Sequence, residues 1–162
     1  MNAIDLLKSQ HREVEELFAQ FEKARQASKK ATLAQTICDK LAVHASIEEQ
    51  HFYPAVKNRK TEDILLESLE EHLAAKRLIK DLLDLSPSDE TFEAKVTVLK
   101  EEIEHHVKEE EHELFPKVKK ILASEDLEEL ARIMSATQEE LEAAKAPREA
   151  VRRGTDAAAS LP

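Results

Sequence analysis

Apolar residues recur along most of this chain at intervals of three and four, a spacing that puts them on one face of an α-helix. Four long segments and a shorter fifth carry such a stripe, and we predict helices at residues 3–26, 30–57, 62–85, 89–122 and 124–144. The connections between the first four are short and polar, which makes consecutive helices antiparallel neighbours. The pattern therefore predicts an all-α protein, an up-down-up-down antiparallel four-helix bundle with an additional C-terminal helix.

The same pattern sets the domain boundaries. We assign residues 1–122 to the bundle and residues 123–145 to the accessory helix. After Pro147 the Ala-rich sequence has no apolar stripe, so we expect residues 146–162 to be a disordered tail. A length of 162 residues is enough for one domain with a buried core, and a single Gly with no Trp fits a chain of long helices.

An eleven-residue pattern occurs twice, as HASIEEQHFYP beginning at His44 and as HVKEEEHELFP beginning at His106. In both copies a glutamate follows the histidine by four residues, at Glu48 and Glu110. Residues four apart share one face of a helix, so each copy points an imidazole and a carboxylate in the same direction. Each copy thus has the form of a two-pronged metal ligand.

The duplication extends to the helix before each copy. His11 precedes His44 by 33 residues and His72 precedes His106 by 34, and both upstream histidines lie within an apolar stripe. In an up-down-up-down bundle all these side chains fall at the same end of the molecule. Because charged groups are rarely buried without a partner, four imidazoles and two carboxylates on the bundle axis require a cation to neutralise them.

With this paired H-x3-EE-x3-[YF]-P motif, residues 1–122 resemble the haemerythrin-like (HHE cation-binding) family, four-helix bundles that hold a non-haem di-iron centre. The resemblance implies two iron ions joined by an oxo or hydroxo bridge, with the two glutamates bridging them as well. It implies the ligands His11, His44, Glu48, His72, His106 and Glu110.

This chain departs from the oxygen-carrying members of that family. They have a fifth histidine one turn after the third-helix ligand, where this chain has Lys76. Counting roughly octahedral positions, the four-His, two-Glu set leaves about two positions open on the two irons. Open positions are typical of reactive rather than closed sites. We therefore do not expect simple reversible oxygen carriage.

Three function classes follow from these residues. The first is a di-iron protein that binds or reacts with dioxygen, hydrogen peroxide or nitric oxide, in oxidative or nitrosative stress or in iron handling. The second is an enzyme that disproportionates peroxide like a catalase; whether turnover occurs stays open. The third is a metal-free helical interaction module. Zinc and manganese suit the same ligands as iron, so the metal also stays open.

Two other ligand sets fit the sequence less well. The pair His105 and Glu109 lies one residue earlier than the proposed fourth-helix arm, but off its apolar stripe. Glu-x-x-His spacings, at residues 48–51 and 109–112, would suit a ferritin-like di-iron protein, but they do not superpose under the repeat. Tyr53 lies about half a turn from His44 on an ideal helix, so we expect it to face away from the site.

Composition limits the partners. A net charge of −10 argues against nucleic acid, and no apolar run approaches the roughly 18 residues of a membrane span. A lone Cys38 excludes an internal disulfide framework, and no signal peptide is recognisable. We expect a soluble cytoplasmic protein with a small-molecule ligand and with a protein partner, if any, on the C-terminal helix.

Overall fold

The structure, a computed structural model, describes residues 1–162 and contains no β-strand. Its α-helices are α1 Ala3–Lys23, α2 Ala27–Ile47, α3 Tyr53–Val56, α4 Glu62–Asp84, α5 Phe92–Glu109, α6 Phe115–Ile121 and α7 Ser124–Ala143. Helix α1 packs on α2 and α4 packs on α5, and α2 also contacts α4. The predicted all-α bundle with an extra C-terminal helix is therefore confirmed.

Two stretches of π-helix interrupt the second and fourth long helices of the bundle. The first, Glu48–Phe52, joins α2 to α3, and the second, Glu110–Leu114, joins α5 to α6. A proline follows each stretch by two residues, at Pro54 and Pro116. Proline has no N–H to give to the carbonyl four residues before it, which favours a wider turn at this point. Both π-stretches begin at a glutamate of the duplicated motif.

The apolar core is divided into two clusters along the bundle. One contains Leu7, Leu69 and Leu114 and is covered by α7, and the other contains Val14 and Ile79. Each long helix of the bundle contributes to both clusters, and its histidine lies between its two contributions. The predicted ligands therefore form a polar layer between two apolar layers.

Helix α7 packs on α1 and α2 through a buried face that includes Leu127, Leu130 and Met134. The apolar stripe from which the sequence predicts a protein partner is thus used inside the protein. Within this helix, the side chain of Gln138 also contacts Gln10 of α1.

The C-terminal segment differs from the sequence-based expectation of disorder over residues 146–162. A 3-10 helix, Pro147–Gly154, packs on α2 and α4 and buries Val151. Two ion pairs hold it, Arg148 with Asp39 at 2.8 Å and Arg152 with Asp84 at 2.7 Å. The contacts of the 3-10 helix thus include one buried side chain and two arginine pairs, and such a short segment leaves no periodic stripe in the sequence. None of the helices has the length and apolar character needed to cross a bilayer.

Candidate metal centre

The structure brings all six sequence-predicted ligands together in the polar layer. None of them is more than 7% exposed, and both carboxylates are fully buried. Their ligand atoms form two overlapping groups, one on each side of Glu48, and within each group the atoms lie within 4.8 Å of one another. The first group comprises His11, His44, Glu48 and Glu110, and the second comprises Glu48, His72 and His106.

Each carboxylate lies between histidines of the two groups. Glu110 Oε1 is 3.2 Å from His11 Nε2 and 3.4 Å from His106 Nε2. Glu48 Oε1 is 3.1 Å from both His44 Nε2 and His72 Nε2. A carboxylate in such a position can serve two adjacent cations, one beside each pair of imidazoles.

Several of these buried atoms have no hydrogen-bond partner. They are His11 Nε2, His44 Nε2, Glu48 Oε2 and Glu110 Oε1. Leaving one buried polar atom without a partner costs about 1–3 kcal/mol, and native proteins rarely leave several together. All four atoms are nitrogen or carboxylate oxygen, the donors that first-row transition metals bind. The residues present therefore fit a bound metal centre.

The far side of every imidazole is hydrogen-bonded through Nδ1. Glu111 accepts from His11 at 2.7 Å, Glu49 accepts from His72 at 2.7 Å, and Glu71 accepts from His106 at 2.8 Å. The amide oxygen of Gln10 accepts from His44 at 2.7 Å. Carboxylate and amide oxygens only accept, so the proton stays on Nδ1 and each Nε2 is directed at the centre.

These supporting residues are held in turn by their own partners. Arg12 pairs with Glu111, and Lys76 Nζ pairs with Glu49 Oε1 at 2.9 Å. Gln10, whose side-chain oxygen accepts from His44, donates through Nε2 to Gln138 Oε1 of α7 at 2.9 Å. The imidazoles are thereby fixed by residues from the whole bundle and from α7.

The pKa shifts of His106 and Glu48 also indicate that positive charge is favoured in this layer. Burial acts to lower the pKa of His106, but Glu110 and Glu48 beside it raise the pKa well above 6.5. Burial likewise acts against the charged form of Glu48, yet His44 and its other neighbours hold the pKa of that carboxyl well below 4.5. The carboxyl of Glu48 is therefore kept in its charged form by the positive charge around it, which a bound cation would also supply.

Tyr53 is a site residue that the sequence analysis placed wrongly. Its hydroxyl is buried and donates a hydrogen bond to Glu110 Oε2 at 2.7 Å. The hydroxyl oxygen of Tyr53 is also 3.2 Å from His72 Nε2 and 3.4 Å from His106 Nε2. The ideal helical phase used for the prediction does not hold across the π-stretch, which turns Tyr53 toward the centre. The following Pro54 was the available signal.

The remaining histidines lie outside this set. His105 is largely exposed and contacts Glu71 and Glu109, whereas the neighbouring His106 is buried in the layer. His51 binds the hydroxyl of Thr137 on α7 at 2.7 Å, and His112 is exposed. Neither rival ligand set is gathered into the buried centre.

Comparison with known proteins gives results consistent with this geometry. The family model described as Hemerythrin HHE cation binding domain matches residues 2–118. A crystal structure of a Hemerythrin HHE cation binding domain-containing protein from Mycobacterium kansasii superposes with a TM-score of 0.76. The match covers 95% of this chain and 91% of that one at 24% sequence identity, a likeness of fold.

A curated relative from Nostoc sp. (strain PCC 7120 / SAG 25.82 / UTEX 2576) is described as a DNA nickase. It is 29% identical over 142 residues, which make up 88% of this chain and 40% of that protein. The chain therefore spans less than half the length of this relative.

Proposed function

The chain belongs to the haemerythrin HHE cation-binding domain family, and we propose that it is a non-haem di-iron protein that binds or reacts with dioxygen, hydrogen peroxide or nitric oxide. The observation that carries the proposal is the set of unpartnered buried nitrogen and oxygen atoms directed at one small volume. The buried cluster of histidines and glutamates supports metal binding in general. We further propose that the metal is iron, that two ions are bound, and that they react with these small molecules.

The six ligands divide naturally between two ions. His11 and His44 would hold one, and His72 and His106 the other. Glu48 and Glu110 each lie within 3.4 Å of an imidazole from both pairs, which suits bridging ligands. The bound metal would supply Lewis acidity and, for iron, a change of oxidation state.

The surrounding residues have separate roles in this proposal. Glu49, Glu71 and Glu111 orient imidazoles by accepting from Nδ1. Such outer hydrogen bonds also raise the basicity of the ligating nitrogen. Tyr53 holds a proton at Oη, directed at Glu110 Oε2, and occupies space beside two of the imidazoles. The Tyr53 hydroxyl oxygen lies within 3.4 Å of Nε2 of both histidines of the second pair.

The environment of Lys76 favours reactivity over oxygen storage. Its ammonium group is paired with Glu49, the residue that supports His72, and the position supplies no fifth imidazole. Fewer protein ligands leave more positions for small molecules. Peroxide disproportionation at the same centre is the enzymatic alternative, and the same feature supports it.

DNA is not proposed as a partner, although the Nostoc relative is described as a DNA nickase. The net charge of −10 repels a phosphate backbone, and basic residues supply most of the affinity for DNA. The matched region is 40% of that relative, and the rest of its chain has no counterpart in this alignment. The activity in its description therefore does not carry over to this chain.

The reactivity can be tested on purified protein reduced without oxygen. We expect air to oxidise the reduced protein without a long-lived oxygenated form, and we expect the oxidised protein to consume peroxide. Optical spectra follow the first reaction and an oxygen electrode follows the second. The His106→Ala variant is the control, because it removes one buried ligand of the second pair.

Three results would contradict this proposal. A stable and reversible oxygenated spectrum would indicate an oxygen carrier. Equal peroxide consumption by the wild type and by His106→Ala would assign the activity to loosely bound iron. A centre that holds zinc and changes no spectrum on reduction would refute iron while leaving the metal site in place.

A further inference from the structure

A cavity of about 540 Å³ lies against the candidate metal centre, and all four histidines of the centre contribute to its lining. Pockets that bind organic molecules commonly span roughly 300–1,000 Å³. Dioxygen, nitric oxide and peroxide have two heavy atoms each and need only a small part of such a space. The size of the cavity therefore indicates a larger molecule than the proposed gaseous or peroxide ligands.

The walls of the cavity are mainly apolar. Four bundle helices contribute, among other residues, Val14, Leu41, Ala75, Ile79 and Val107. An apolar wall beside a polar metal layer suits a molecule with a hydrocarbon body, because burial of apolar surface is the main favourable contribution to binding there. Water would gain few hydrogen bonds along these walls.

The C-terminal segment forms the outer side of the cavity and carries its unpaired charge. Within the lining, Lys76 pairs with Glu49 and Arg152 pairs with Glu149 and Asp84. Two further lining residues, Lys145 and Arg153, are exposed and form no ion pair. In a chain of net charge −10, two unpaired cations at one cavity indicate an anionic group on the molecule bound there.

We infer that the cavity binds an amphipathic organic anion, a medium-chain carboxylate whose hydrocarbon body lies along the apolar walls and whose carboxylate faces Lys145 and Arg153. The inference extends the proposed function, because the hydrocarbon end of such a molecule would lie beside the imidazoles that hold the metal. A medium-chain carboxylate is thus the class of organic molecule that would lie next to the metal.

Calorimetric titration with hexanoate, octanoate and decanoate tests the apolar part. Each added methylene should strengthen binding by about fourfold while it is buried. 1-Octanol, which has a hydrocarbon chain without the charge, should bind more weakly than octanoate. No saturable binding of any of these carboxylates, or the same affinity for all three, would overturn the inference.

Variants test the two parts of the cavity separately. Lys145→Gln with Arg153→Gln should weaken octanoate by about fivefold and leave 1-octanol unchanged, since exposed charge pairs contribute modestly. Arg132→Gln, an exposed arginine of α7 outside the cavity, is the control. Ala75→Phe should fill the cavity and weaken every member of the series, beside Ala94→Phe at an exposed position.

Titration of both metal-loaded and metal-stripped protein separates this inference from the proposed function. Octanoate binding that survives metal removal and depends on Lys145 and Arg153 supports the orientation inferred. Binding that disappears with the metal and ignores both cations would place the carboxylate on the metal and overturn that orientation. Metal analysis of the same samples tests the proposed centre independently.

Discussion

Glu48 and Glu110 lie at the middle of the candidate metal centre. Both are fully buried, and each lies between imidazoles of the two groups. An isolated buried carboxylate is strongly unfavourable, so these two side chains are stable only beside positive charge. At the residue scale, the fourth-residue spacing of the duplicated motif was sufficient to predict that these two glutamates lie beside the histidines.

Glu110→Ala should lower the metal content of the purified protein by half or more, because it removes a ligand that both ions would share. Glu109→Ala is the matched control, since its carboxylate contacts the exposed His105 instead. Elemental analysis of the two variants, purified alike, measures the difference. Loss of metal in Glu109→Ala with full retention in Glu110→Ala would move the fourth-helix ligand by one residue.

Tyr53→Phe should keep the fold and reduce the free energy of unfolding by about 2 kcal/mol, the typical contribution of a hydrogen bond to a charged group. The reason is that Glu110 loses the hydroxyl that donates to it at 2.7 Å. Urea unfolding of metal-stripped protein measures the change. An unfolding midpoint equal to that of the wild type would show that the hydroxyl does not stabilise the carboxylate.

Cys38 should react slowly with thiol reagents in the native protein. Burial raises the pKa of the thiol to about 12, with the neighbouring Asp39 adding to this effect. The reactive thiolate is therefore scarce at neutral pH until the chain unfolds. Modification by a coloured disulfide reagent, with and without urea, measures the rates. Equal rates in both conditions would contradict the buried position.

At the scale of elements, the period of the apolar residues was enough to predict the long helices and their antiparallel order. The same period could not predict the π-stretches, because one wide turn adds no apolar residue that would reveal it. The wide turn nevertheless changes the direction in which the side chains after it point. Tyr53 was misplaced for this reason. The docking of Pro147–Gly154 was also missed, since a single buried valine gives no periodic signal.

Val151→Asp should release the C-terminal 3-10 helix from the bundle. The substitution places a charge where the segment has its one buried side chain, which is costly without a partner. Hydrogen exchange at residues 147–154 should become faster, while exchange in α1 and α4 stays slow. Val98→Asp, at an exposed position of α5, is the control. Unchanged exchange in the segment would show that the arginine pairs alone hold it.

At the scale of the whole molecule, a polar layer divides the core into two apolar clusters. Metal binding to such a layer adds its free energy to that of folding. A thousandfold excess of metal over its dissociation constant adds about 4 kcal/mol. For a chain of this size, that corresponds to a rise of roughly 10 °C in the melting temperature.

Calorimetric melting with and without a strong chelator measures this stabilisation. We expect the chelated protein to melt at the lower temperature and to regain the higher value when metal is returned. The His44→Ala variant should show a smaller difference between the two conditions, because it lacks one ligand of one ion. An unchanged midpoint in wild-type protein that had held metal would contradict a buried site linked to folding.

The most direct test of the central claim is the number of metal ions bound per chain. Metal-stripped protein is titrated with ferrous iron in the absence of oxygen, then passed over a desalting column and analysed for iron. The six converging ligands predict two ions per chain in the wild type and fewer when His11 or His72 is replaced by alanine. Wild-type protein that retains no iron, or variants that retain as much as the wild type, would contradict a metal centre at these residues.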